Sequence, residues 1–146
     1  MTIDSHTGFI ILSEIGAFIS PTLQRAQFLQ NPAFAEAQVL VQNDPWCSYG
    51  LPLIDLEDSQ LSVTFQFEGE HLHALCMAHM APRFGAGWKD RTEAKELQRK
   101  AFHDHWLAND IGVPPGTYPW AEVSSLYDAK SGGSSIVIRF QHTANS

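Results

Sequence analysis

The sequence has little cysteine, little basic charge in its first half and no long apolar run, and each shortage removes a class of function. Cys47 and Cys76 are the only cysteines in 146 residues. They are too few and too widely spaced for a Cys-rich zinc site or a redox pair, although one disulfide would be possible in an exported chain. No apolar stretch approaches the roughly 18 residues that suggest a bilayer span. The first residues carry no basic run followed by a long apolar region, so a cytoplasmic protein is the expectation. Basic side chains are scarce where acidic ones collect. Residues 1–82 hold nine carboxylates against Arg25, a net charge of −8, whereas residues 83–146 hold eight basic and seven acidic side chains. Such a field repels phosphate backbones and anionic lipid, so neither nucleic acid nor a membrane is an expected partner. It attracts a basic protein surface or a cation, and it also serves solubility.

The cleanest local pattern runs from Leu61 to Met77. Leu61, Val63, Phe65 and Phe67 alternate with polar residues, the two-residue period of a strand with one wet side. A turn at Glu68-Gly69 would return the chain with Phe65 facing Leu72, Val63 facing Ala74 and Leu61 facing Cys76. That register makes Cys76 a packing residue and turns His71, His73 and His79 to the opposite face. Residues 35–42 and 135–141 read as further strands, with 123–127 as a partner for the last and a flexible loop at 128–134. Residues 9–18 fit a strand or a buried helix equally well. The best helix runs over 92–109, with Thr92 as N-cap. Its projection puts Ala94, Leu97, Ala101, His105 and Ala108 on the buried face and His103 outside. A shorter helix is expected from Pro21 to about residue 29. The expectation is a single α+β domain over residues 1–146, with an antiparallel sheet of about four or five strands packed against helices.

The chemical candidates are few. His71 and His73 are close enough along a strand to share a metal with a carboxylate from elsewhere, whereas His79 would lie about 27 Å from His71. The ordinary alternative is a pair of half-exposed sheet histidines. No third ligand stands at motif spacing, and no cofactor is expected. Lys130-Ser-Gly-Gly lacks the helix start that a phosphate-binding loop requires. Trp46, Tyr49, Trp88, Tyr118 and Trp120 all sit near turn-like sequence, where aromatics either close a core or anchor an interface. Read with the acidic half, Asp44, Asp55, Glu57 and Asp58 would steer a basic partner, and Trp46, Tyr49 and Trp120 would supply contact area.

Phe102-His-Asp-His-Trp-Leu, Ile111-Gly-Val-Pro-Pro-Gly, Tyr118-Pro-Trp and Ser125-Leu-Tyr-Asp-Ala-Lys-Ser-Gly-Gly-Ser-Ser-Ile-Val-Ile fall within the last 45 or so residues. This stretch resembles small bacterial α+β proteins of toxin-immunity loci. The resemblance implies a noncatalytic protein that inhibits a basic toxin or enzyme by occluding its active site with an acidic face. Two alternatives stand beside it: a small metal-assisted hydrolase using His71 and His73, and a structural adaptor or homodimer built on a sheet edge.

Overall fold

Alternating residues dominate the folded chain even more than the sequence suggests. The computed structural model describes residues 1–84, 92–128 and 133–141. In chain order its elements are β1 (Thr2–Ile3), β2 (Ile10–Leu12), β3 (Ala17–Ile19), α1 (Arg25–Gln30), β4 (Gln38–Asn43), β5 (Trp46–Gly50), β6 (Ile54–Asp55), β7 (Gln60–Glu68), β8 (His71–Met80), α2 (Glu93–His105), β9 (Gly116–Thr117), β10 (Ala121–Asp128) and β11 (Gly133–Phe140). Among the described residues, an eight-stranded antiparallel sheet runs β4-β5-β7-β8-β11-β10-β9, with β6 also paired to β7, beside a three-stranded sheet β1-β2-β3. The expected balanced α+β fold with four or five strands is therefore corrected to a sheet-dominated one. α2, prolonged by a π-helical turn at Trp106–Ile111, is the one helix of substantial length described, and α1 has six residues. The missed strands are short, and β5 is buried from Cys47 to Tyr49, so it shows no alternation to read.

The β7–β8 hairpin forms, but in another register. Its turn is Gly69-Glu70, with Gly69 at φ +60°, and the register shifts by one residue at a bulge that holds His73 between Leu72 and Ala74. Phe65 consequently faces Leu75, Val63 faces Met77 and Leu61 faces His79. One inserted residue reverses the parity of everything beyond it. Cys76 is thus opposite Thr64 on the outer face, half-buried, and His79 lies in the core.

The core face of β7 and β8 continues into β11 through Ile136 and Ile138, paired with Met77 and Leu75. α1 covers one end of it. Phe28 sets its ring 4.6 to 5.4 Å from Tyr49, Phe65 and Phe67, three aromatic contacts that fix the helix to the sheet, and stacks at 4.8 Å on Phe34 in the turn that follows. α2 covers the other end, capped by Thr92 Oγ1 accepting the Lys95 N–H. It packs with its polar stripe inward: Glu96, Arg99 and His103 are buried, while Ala94, Leu97, Ala101, His105 and Ala108 face out. The projected face is reversed because its alanines offer little area, whereas Glu96 and His103 find partners on β11 and β8 and Arg99 on Glu96 and the Phe84 carbonyl.

Residues 9–18 resolve as the β2–β3 hairpin, and β1–β3 add Ile3, Ile10, Leu12, Ala17 and Ile19 to the common core. Their link to the large sheet is Trp120, whose Nε1–H donates to the Ser5 carbonyl at 2.9 Å. Gly8 lies over the indole at φ +77°, where a Cβ would come within 2.4 Å of the ring. Gly8→Ala is therefore expected to cost about 2–4 kcal/mol, combining left-handed strain with overpacking. Urea unfolding measures it, and a loss below about 0.5 kcal/mol, the range of ordinary surface changes, would show that the contact is slack.

Candidate partner-binding surface

Gln38–Asn43 contains no charged residue and no proline, and every one of its residues is exposed. Val39, Leu40 and Val41 keep 54, 58 and 50% of their surface in contact with solvent. The run is an edge. β4 pairs with β5 on one side, and among the described residues no strand pairs with the other. At the opposite edge, β9 has two residues and offers much less. A bulge between Val39 and Val41 sets Leu40 over Gly50, where an added methyl would lie 3.0 Å from Leu40 Cδ1. Exposed Glu36 and Asp44 flank the strand at its two ends. An uncharged edge with open backbone groups and apolar side chains is a template for an added strand, and proteins ordinarily blunt such edges.

The residues expected to meet a partner are dispersed. Asp44 is exposed at the cis Asp44–Pro45 turn that enters β5, and half-buried Trp46 stands edge-on to His73 with ring centroids 5.0 Å apart. Tyr49 is 4% exposed and belongs to the core. Burial pushes its phenol up, while Arg25, whose Nε donates to the hydroxyl at 2.9 Å, pulls it down. Trp120 is 6% exposed and does not reach the surface. Asp55 accepts a hydrogen bond from Gln60 Nε2 and, with exposed Glu57 and Asp58, lies at the other end of β7 from Asp44. The span of β7 separates these two acidic groups by about 27 Å. Arg25, the one basic side chain of residues 1–82, is held at Tyr49. Tyr118 donates its hydroxyl to the Pro114 carbonyl, and Trp88 lies outside the described residues, as do the 129–132 portion of the last hairpin loop and Lys130.

His71 is exposed opposite Glu68, and His73 occupies the bulge against Trp46. No group of three or more His, Cys, Asp or Glu side chains converges to hold a metal among the described residues. The outward Cys76 thiol is pushed up by burial, which disfavours the reactive thiolate.

The sequence reading missed both the β4 edge and a buried polar network. The His79 N–H donates to His103 Nε2 at 3.0 Å, which places the His103 proton on Nδ1. Glu96 Oε1 accepts from Arg99 Nη1 at 3.0 Å and from the Ser134 N–H at 2.9 Å, while Arg99 Nη2 donates to the Phe84 carbonyl. Burial pushes His79 down to about 4 and His103 down to about 3, helped by the nearby arginines. These groups tie α2 to β8 and β11. Sealed from solvent, the two imidazoles are poorly placed to meet a substrate.

Comparison with protein-family models, curated proteins and solved structures gives no match. No helix among the described residues is long and apolar enough to cross a membrane.

Proposed function

We propose that this chain is a noncatalytic protein-binding module of the immunity type, which covers the active site of a basic toxin or enzyme domain. The β4 edge carries the reading: Val39, Leu40 and Val41 lie exposed on an uncharged strand bracketed by Glu36 and Asp44. An extended segment of the partner pairs with the open backbone groups of β4, and its apolar side chains meet those of the edge. Asp44 and Trp46 at one end, and Asp55, Glu57 and Asp58 at the other, lie beside that path and draw in a basic segment. Tyr49 and Trp120 leave the contact set and serve the core.

Co-purification from native extract at low and high salt, followed by titration with the identified partner in pure form, tests this. Val39→Lys combined with Val41→Lys places two charges on the edge and repels a basic strand. The double variant is expected to bind about 100-fold more weakly, mostly through faster dissociation, with its thermal midpoint little changed. Undiminished binding by the variant would overturn the reading. So would sedimentation showing a wild-type dimer that the variant abolishes, because the edge would then join two copies of this chain.

A further inference from the structure

Where β4 begins, the surface is hollowed. A cavity of about 370 Å³ lies between Ile15, the Pro32–Ala35 turn and the Leu51–Ile54 segment, with Glu36 on its wall. Its place in the fold ties it to the edge. Glu36 stands two residues before Gln38, whose partner across the sheet is Gly50, and Leu51 follows directly. The walls are otherwise apolar or proline, and Leu53 is half-exposed at the mouth. Glu36 has no ion-pair partner among the described residues, and Asp55 follows Ile54, the last wall residue, with Glu57 and Asp58 close behind. The nearest basic side chain in sequence to the Ile15 wall, Arg25, is held at the Tyr49 hydroxyl, and the amino group of Met1 is paired with Glu14.

We infer that this cavity receives one long cationic side chain, arginine or lysine, from the partner strand. The inference rests on the edge reading proposed above and adds the residue that sets the partner's register. Its chemistry divides along the side chain. The methylene stem of arginine or lysine covers the apolar walls, while the charged head meets Glu36 at the rim. A purely apolar side chain would fill the walls equally well but leave Glu36 facing it, and an acidic one would be repelled by Glu36 and the Asp55 group. A strand laid along β4 that continues past Gln38 carries its next side chains over this opening, so the cavity fixes which residue of the partner sits there.

The experiment uses the full chain and two small probes, N-acetyl-arginine methylamide and N-acetyl-norleucine methylamide, followed by backbone amide shifts in NMR. The arginine probe is expected to move the amides of Ala35, Glu36, Leu51 and Leu53 saturably in the millimolar range. The norleucine probe should bind about five-fold more weakly, the scale of one partly exposed ion pair. Glu36→Gln should remove that difference while leaving the norleucine affinity unchanged, and the lysine analogue shows whether the head group must be planar. Equal affinity of the two probes, or shifts confined to other residues, would overturn the inference. The Val39→Lys, Val41→Lys variant leaves this cavity intact, so failure of the edge reading shows in partner binding while the probes still report on the cavity.

Discussion

Glu96→Ala is expected to lower the free energy of unfolding by about 3–5 kcal/mol, the cost of removing one partner from a buried ion pair. The carboxylate is 1% exposed and receives Arg99 Nη1 and the Ser134 N–H on the same oxygen, so it joins α2 to the start of β11. Alanine leaves the Arg99 guanidinium buried without that counter-charge, and the Ser134 amide without its acceptor, in a place that water does not reach. Glu96→Gln separates the two losses. Its amide oxygen can still accept from Ser134 but carries no charge, so it should fall between wild type and alanine. Glu93, exposed in the first turn of the same helix, is the control, and Glu93→Ala is expected to stay within about 0.5 kcal/mol. Urea unfolding read by circular dichroism gives all three, and a Glu96→Ala loss no greater than that of Glu93→Ala would mean that the pair contributes nothing net to the fold.

That network also marks where the sequence stops being legible. The alternation of Leu61, Val63, Phe65 and Phe67, and of Ile136, Ile138 and Phe140, is written in the chain because each strand has one face in the core and one outside it. The start of α2 at Thr92 is legible for a local reason, since its hydroxyl caps a neighbouring amide. The face that α2 buries is set elsewhere. Glu96, Arg99 and His103 read as a solvated stripe until Ser134, Phe84 and His79 supply their partners, and those lie 15 to 38 residues away in the chain. His73 is similar: a bulge leaves no mark in the residue pattern, yet it sends His79 inward and Cys76 outward. Among the candidate contacts, Asp44 and Trp46 could be joined from their closeness in sequence. Tyr49 and Trp120 looked equally available until Phe28 and Gly8 covered them. The β4 edge did have a local signal, three successive aliphatics in an uncharged stretch between Glu36 and Asp44. What the pattern did not show was that no strand pairs beyond it, because edge position belongs to the topology of the whole sheet.

The two buried imidazoles make stability depend on acidity, with a definite sign. Both are held below the usual histidine value of 6.5, His79 at about 4 and His103 at about 3, mainly because burial disfavours their charged forms. Arg83 and Arg99 add to this around His79; Arg99, Lys100 and His79 do so around His103, against the opposing pull of Asp104. Between these values and 6.5 the unfolded chain binds more protons than the folded one, so stability rises with pH across that window. The contribution is complete above about pH 6.5 and is lost as pH falls through the folded values. From pH 7 to pH 4 each imidazole should remove about 3 kcal/mol if titrated independently, and their contact makes the combined loss differ from the sum. The geometry agrees, because a proton on His103 Nε2 would turn the acceptor of the His79 N–H into a second donor facing it. His103→Gln removes the titration but keeps a neutral acceptor near that N–H. Its unfolding free energy, measured by urea titration at pH 7, 5.5 and 4, should therefore fall less steeply than that of the wild type, by about 3 kcal/mol over the range. The variant starts lower at pH 7 because glutamine fills less of the space beside the His79 ring, so the slope and not the starting value decides. Parallel slopes for the two proteins would show that His103 is not held neutral by the fold.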